Sequence, residues 1–327
     1  MITDSYGRKI NYLRVAVTDR CNLRCTYCMP ANGLNWFPRK DIMTDEEMLR
    51  ICNLFVKMGV EKIRFTGGEP FVRSGFLSFL ETVSHIKGLH ELTLTTNGVL
   101  TAPVVPQLKK AGIRSVNLSL DTLDEDRFFN ITQRKGLDKV LATLHALLEN
   151  EIAVKINAVV MDDKNIDDII PLVELTKTLP VSVRFIEEMP FNGSDKPVSF
   201  NWNFAQILKH IRAYFPGIIK ITDPPNATSF NYRIPGHNGD VGIIAAYTRS
   251  FCGTCNRIRI TPTGVLRTCL YDAGSFNIKE AIRSGITDDA LERLIREAIL
   301  KKPENGWIAE KENSNKAGHE SMATIGG

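Results

Sequence analysis

Tyr12-Leu13-Arg14-Val15-Ala16-Val17 runs directly into Thr18-Asp19-Arg20-Cys21-Asn22-Leu23-Arg24-Cys25-Thr26-Tyr27-Cys28-Met29-Pro30. The first six residues are an apolar, β-rich run that predicts a strand, and the residues after it place three cysteines on one loop at its carboxyl end. The same alternation continues along the chain. Strands are predicted over residues 62–66, 91–96, 115–120, 154–160 and 182–186, with helices over 45–58, 73–85, 102–111, 137–149 and 166–179 between them. Thr44 followed by Glu47 has the spacing of a capping box, and Gly59 marks the end of that first helix. Six β-α units in a row imply parallel strands with right-handed crossovers, as an open doubly wound sheet or as a complete or partial barrel.

The loops after the strands say where chemistry belongs. Besides the cysteine loop they read Thr66-Gly67-Gly68-Glu69-Pro70, Thr95-Thr96-Asn97-Gly98, Ser119-Leu120-Asp121 and Glu187-Glu188-Met189-Pro190. Taken alone, each is ordinary turn chemistry. In parallel α/β folds, however, ligands bind at the carboxyl ends of the strands, so five such loops in succession are expected to converge on one site. From Asn192 the texture changes to a Gly-, Ser- and Pro-rich loop, a helix over 204–215, β-like runs near Tyr232 and over 241–247 and 257–261, and helices over 278–283 and 289–301. The expected division is residues 1–191, a smaller module over 192–302, and a flexible tail over 303–327.

Composition limits the alternatives. With 43% hydrophobic and 24% charged residues the chain has the make-up of a globular protein. Its apolar runs fall far short of a membrane span, and residues 1–11 lack a signal pattern, so a cytoplasmic location is expected. Forty-one basic against 37 acidic residues leaves +4, with no basic block to follow a nucleic acid. The chain says nothing of oligomeric state, and monomer or homodimer is expected. Six of the seven cysteines form two triplets; Cys52, on the first helix, is assigned to the core. In a reducing compartment clustered thiols read as metal ligands or redox groups.

Cys21, Cys25 and Cys28 have the spacing C-x3-C-x2-C. Three thiolates can hold three irons of a cubane and leave the fourth open, whereas electron-transfer clusters use four cysteines and structural zinc normally closes with four ligands. Zinc remains the competing reading. No histidine stands at ligand-like spacing from this loop.

This loop resembles the signature of radical S-adenosylmethionine (SAM) enzymes. The resemblance implies a 4Fe-4S cluster on Cys21, Cys25 and Cys28 whose open iron is chelated by SAM, and reductive cleavage to a deoxyadenosyl radical. It further implies SAM contacts from Tyr27, Gly68, Glu69, Ser119 and Met189. Glycines at the second of these motifs would let a backbone edge approach the ligand.

Cys252, Cys255 and Cys269 form a second triplet, C-x2-C-x13-C, for which zinc alone is as good a reading as a second cluster. Arg257 and Arg259 alternate on a predicted strand beside it, and paired guanidiniums suit phosphate. Together with Asp4-Ser-Tyr-Gly7-Arg8, Arg64, Cys252-Gly-Thr-Cys255-Asn256-Arg257 and the terminal Gly326-Gly327, these features are similar to the MoaA-type GTP 3′,8-cyclases of molybdenum cofactor biosynthesis. The resemblance implies a partial (βα)6 TIM-like barrel with a smaller C-terminal α+β cluster-binding domain. It implies two 4Fe-4S clusters with three cysteines each, and GTP bound by Arg14, Arg64, Thr95, Lys155, Arg257 and Arg259. Removal of ribose H3′ and closure of C3′ onto guanine C8 would follow. Catalytic roles are implied for Arg14, Gly326 and Gly327, the diglycine entering the cavity. Implied partners are an electron donor such as a flavodoxin or ferredoxin and a downstream cyclic pyranopterin synthase. The rivals are a two-cluster radical SAM enzyme acting on a peptide and a non-enzymatic iron-sulfur or zinc redox regulator.

Overall fold

The computed structural model describes residues 1–30, 32–193, 199–313 and 320–326. Strands β1 (Tyr12–Ala16), β2 (Lys62–Thr66), β3 (Glu91–Thr96), β4 (Ser115–Ser119), β5 (Ala153–Val160) and β6 (Val181–Glu187) pair in chain order, each parallel to the next. Parallel neighbours need long crossovers, and the helices Asp45–Lys57, Phe76–Ser84, Val105–Lys110, Leu137–Glu149 and Ile169–Thr178 provide them. The capping box forms as expected: Thr44 Oγ1 accepts from Glu47 N, and Glu47 Oε2 accepts from Thr44 N.

The sheet does not close on itself. Residues after β6 form β7 (Ile219–Lys220), β8 (Ser229–Arg233), β9 (Asp240–Ile244), β10 (Arg257–Ile260), β11 (Val265–Arg267) and β12 (Phe276–Asn277). They extend both edges, giving the order β12-β11-β10-β1-β2-β3-β4-β5-β6-β9-β8-β7. β9 joins β6 and β10 joins β1, both in parallel, while the outermost strands are antiparallel. The architecture is therefore the expected partial barrel, with its C-terminal strands added at both ends of one sheet.

Each strand presents two faces. Leu13, Val15, Ile63, Phe65, Leu94, Val116, Leu118, Val154 and Ile156 are buried in one hydrophobic core with Ile51, Phe55, Phe79, Leu80, Leu144 and Val173 from the helices. The alternate residues, Tyr12, Arg14, Lys62, Arg64, Thr95, Asn117, Lys155 and Asn157, face a cavity instead. This second face is what positions the site.

Some boundaries differ from the sequence expectation. The helix expected from 73 starts at Phe76, because Pro70–Val72 is a 3-10 turn and Gly75 takes φ +78 at the N-cap. The short helix Glu125–Thr132, capped by Asp124, was not predicted; it buries only Phe128, Ile131 and Thr132, too little for a periodic signal. Residues 306–312 and 322–325 of the expected tail are helical. No helix among the described residues is long and apolar enough to cross a membrane.

Candidate active site

The loops at the carboxyl ends of the strands gather around the first cysteine triplet. Leu23 N and Asn97 Nδ2 approach Cys21 Sγ at 3.4 and 3.6 Å, and Asn97 Nδ2 also donates to Asn22 Oδ1 at 2.8 Å. Tyr27 OH donates to Asp121 Oδ2 at 2.9 Å, and Lys164 Nζ to Thr26 Oγ1 at 2.6 Å. Gly68 N and Glu69 N donate to Thr18 O and Arg20 O, both at 2.8 Å. A Cβ on Gly68 would lie 2.2 Å from Arg20 O, so this glycine is required by the cysteine loop itself, a reason the ligand-centred reading did not foresee.

Glu69 is fully buried, and its carboxylate accepts from Asn97 N at 2.7 Å, Thr96 Oγ1 at 2.9 Å and Phe71 N at 3.2 Å. Burial pushes it up to about 7 despite these bonds. Its side chain thus ties the loop after β2 to the loop after β3. Burial likewise raises Asp121 to about 6.

Burial pushes the Cys21 thiol up to about 11 and Cys28 to about 12, and raises Cys25 well above the ordinary range. The three interact with one another and with acidic neighbours, and Arg24 offsets only a small part of this at Cys21, so their thiolates require further positive charge. Iron would provide it, and three cysteines as the donor set fit a cubane held by three thiolates. Among the described residues no three His, Cys, Asp or Glu side chains are grouped so as to hold a metal ion.

Beneath the loops lies a cavity of about 700 Å³. Register sets its charge: Arg259 lies beside Arg14, and Arg14 beside Arg64, on the adjacent strands β10, β1 and β2. Arg267 on β11 extends the row past Arg259. Lys155 and Arg184 add cations from β5 and β6. Burial, opposed by Tyr12, brings Arg64 down to about 10, and burial with its like-charged neighbours brings Arg259 to about 9. Lys155 falls to about 8 through burial and then Arg184, Lys62 and Arg64. Burial would raise Tyr12, but Arg64, Arg14, Lys62 and Arg257 outweigh it and pull the phenol down to about 8. Arg14 Nε, Arg64 Nε, Asn117 Oδ1, Asn157 Oδ1 and Tyr12 OH are buried without partners. Like charges held side by side with unmet N–H groups form a receptor for a polyanion.

The second triplet forms one part of this wall. Arg8, paired with Asp4 at 2.6 Å, donates to Cys252 O at 3.1 Å. Asp272 accepts from Thr268 N and Cys269 N at 2.8 Å. Lys302, 2% exposed, donates to Arg257 O at 3.0 Å and to Thr268 O. For Cys255, burial is outweighed by Arg257 and Lys302, which bring the thiol down to about 6.

The last described residues link the two triplets. Ser321 Oγ donates to Cys28 O at 2.6 Å, Glu320 pairs with Arg267, and Arg259 Nη1 donates to Gly326 O at 2.9 Å. Gly326 adopts φ +82, and a Cβ there would stand 2.7 Å from Ala16 Cβ. Gly327 lies outside the described residues.

The cavity wall thus unites Arg14, Arg64, Thr95, Lys155, Arg257, Arg259, Met189, Cys252, Cys255 and Cys269. Cys21, Cys25, Cys28, Tyr27, Gly68, Glu69, Ser119 and Gly326 are not part of that wall. Tyr12, Lys62, Asn117, Asn157, Arg184 and Arg249 line it too and were not singled out from sequence. All but Arg249 share strand parity with Arg14, Arg64 or Lys155, a signal available by carrying one inward-facing charge across the neighbouring strands.

Residues 15–176 match the radical SAM superfamily and residues 181–307 match Molybdenum Cofactor Synthesis C. A GTP 3′,8-cyclase of Clostridium perfringens is 39% identical over 312 residues, covering 94% of this chain and 95% of that protein. Molybdenum cofactor biosynthesis protein 1 of Mus musculus is 41% identical over 308 residues, 92% of this chain but 48% of that protein. The chain spans about half the length of such animal relatives. Crystal structures of Streptococcus suis SuiB give TM-scores of 0.66 and, with S-adenosylmethionine bound, 0.63, at 16% identity over 96% of this chain and 76% of SuiB, a likeness of fold alone. By its similarity along nearly the whole length of the clostridial protein, the chain belongs to the GTP 3′,8-cyclase family within the radical SAM superfamily.

Proposed function

We propose that this protein is a GTP 3′,8-cyclase acting in the first step of molybdenum cofactor biosynthesis. The observation that carries this reading is the row of buried cations, with N–H groups lacking acceptors, in a cavity whose wall also holds three cysteines. A triphosphate satisfies such a row, because each oxygen must regain the partners that water gave it. A peptide would balance the row only through carboxylates of its own.

In this reading Cys21, Cys25 and Cys28 hold one 4Fe-4S cluster, and Cys252, Cys255 and Cys269 hold a second. SAM lies against Tyr27, Gly68, Ser119 and Met189, while Glu69 acts by tying the β2 and β3 loops together. When bound, the cluster and SAM would supply, with one electron from the donor, a deoxyadenosyl radical able to take ribose H3′; closure of C3′ onto guanine C8 would leave a base radical that takes up one further electron and one proton. Arg14, Arg64, Lys155, Arg257 and Arg259 bind and orient the triphosphate, with Thr95 as a neutral contact. The segment from Glu320 to Gly326 closes the site between the two triplets and excludes water.

The functional division follows residues 1–191, 192–302 and 303–327. Seven free cysteines suit a reducing cytoplasm. The remaining partners are a flavodoxin- or ferredoxin-like electron donor and a cyclic pyranopterin synthase downstream.

Anaerobic reconstitution followed by addition of SAM, reductant and GTP tests the reading. About eight irons per chain, two cubanes of four, are expected together with GTP-dependent deoxyadenosine. Four irons, or SAM cleavage indifferent to GTP, would contradict it.

A further inference from the structure

Beside the second triplet, but outside the cavity wall, lies a buried lysine. Lys302 follows the helix Asp288–Leu300, is 2% exposed and does not line the cavity. Its Nζ donates to Arg257 O at 3.0 Å and to Thr268 O. Arg257 stands two residues after Cys255, and Thr268 immediately precedes Cys269. One ammonium therefore ties the start of β10 to the loop after β11, and with them the backbone that carries Cys255 and Cys269.

Both partners are carbonyls, and the charge itself is left unbalanced. The other buried cations around this module each have a carboxylate: Asp4 for Arg8, Glu310 for Arg249, Glu320 for Arg267 and Glu280 for Lys279. None of the described ion pairs includes Lys302. Arg257 and Arg259 lack a carboxylate too, but they line the cavity, where an anionic substrate supplies the counter-charge. Lys302 is out of reach of that substrate. Burying an ammonium with no counter-charge is costly, so the negative charge it answers belongs to the protein or to a group resident in it. The titratable groups that feel its field are Cys255 and Cys269. Three free cysteines beside a buried, unpaired cation suit a resident group of net negative charge, and a cubane on three thiolates is one.

We propose that Lys302 is a positioning residue of the second cluster: it holds the backbone of Cys255 and Cys269 together and, as a fixed positive charge, favours the cluster's reduced form. One added electron makes an anionic cluster more negative, so a neighbouring cation raises its tendency to accept that electron. The inference rests on the second triplet holding a 4Fe-4S cluster and adds the residue that sets its charge balance.

The test uses the reconstituted full chain with Cys21, Cys25 and Cys28 all changed to alanine, so that only the second triplet can load, and follows reduction by electron paramagnetic resonance in a potentiometric titration. Lys302→Met should shift the one-electron reduction equilibrium about ten-fold toward the oxidised form, a fall of about 59 mV. Lys302→Gln, neutral but still an N–H donor, should shift it the same way. Lys302→Arg, which keeps the charge, should leave it near its starting value. Iron content reports loading, and either neutral variant suffices. Iron kept by Lys302→Arg but lost from both neutral variants would also support the inference. An unchanged potential in an iron-replete neutral variant, an equal fall in Lys302→Arg, or iron lost from all three would overturn it while the cluster stands. A chain with Lys302 intact that loads zinc or no metal at the second triplet would overturn the cluster and the inference together.

Discussion

Arg259, Arg14 and Arg64 sit side by side on neighbouring strands, ~4.8 Å apart in the pairing direction, and their charges repel until an anion arrives. Such an arrangement opposes folding and serves binding. Arg64→Met removes a buried, partly unsatisfied cation. It should therefore raise the thermal midpoint of the nucleotide-free protein and weaken GTP binding about ten- to a hundred-fold, read by calorimetry and equilibrium binding. A lowered midpoint would mean the row is already balanced within the protein. Lys155 and Tyr12 both titrate near pH 8 in the free cavity. A triphosphate favours the protonated form of each, so binding must take up protons there, and affinity should fall as pH rises through about 8. Titration calorimetry in two buffers of different ionisation enthalpy measures the uptake; proton release would contradict the assignment.

At the scale of elements, the cysteine loop after β1 is braced by the loops after β2 and β3. Gly68 touches Arg20 too closely to admit a side chain. Gly68→Ala should displace the loop and cut reconstituted iron by about half, the share of one of two equal cubanes, with the second triplet still loaded. Full iron content would show that the loop adapts. The segment from Glu320 to Gly326 is a second brace, joined to Cys28, Arg267 and the β1 strand through Ser321, Glu320 and Gly326. Gly326→Ala should reduce turnover while leaving iron unchanged; undiminished turnover would detach this segment from catalysis.

For the molecule as a whole, the six-unit order and the convergence of loops were legible because strand and helix periods differ and cysteines mark one loop. β2 and β3 appear at the residues expected. Less legible was how residues after Glu187 rejoin the sheet: β10 pairs with β1 although 245 residues separate Arg257 from its partner Tyr12, and nothing local encodes that pairing. The cation row followed only in part, since Arg14, Arg64 and Arg259 can be suspected one at a time while register alone makes them adjacent. Arg249 was missed for a different reason. It lies on a loop, and its place in the wall comes from contacts with Tyr271, Glu310 and Trp307, all distant in sequence.

In the proposed reaction this cavity presents a ribose to radical chemistry. GTP deuterated at C3′ tests it most directly: after anaerobic turnover with unlabelled SAM, the deuterium should appear in deoxyadenosine. Deoxyadenosine formed without that label, its hydrogen drawn from another position or from solvent, would contradict the account.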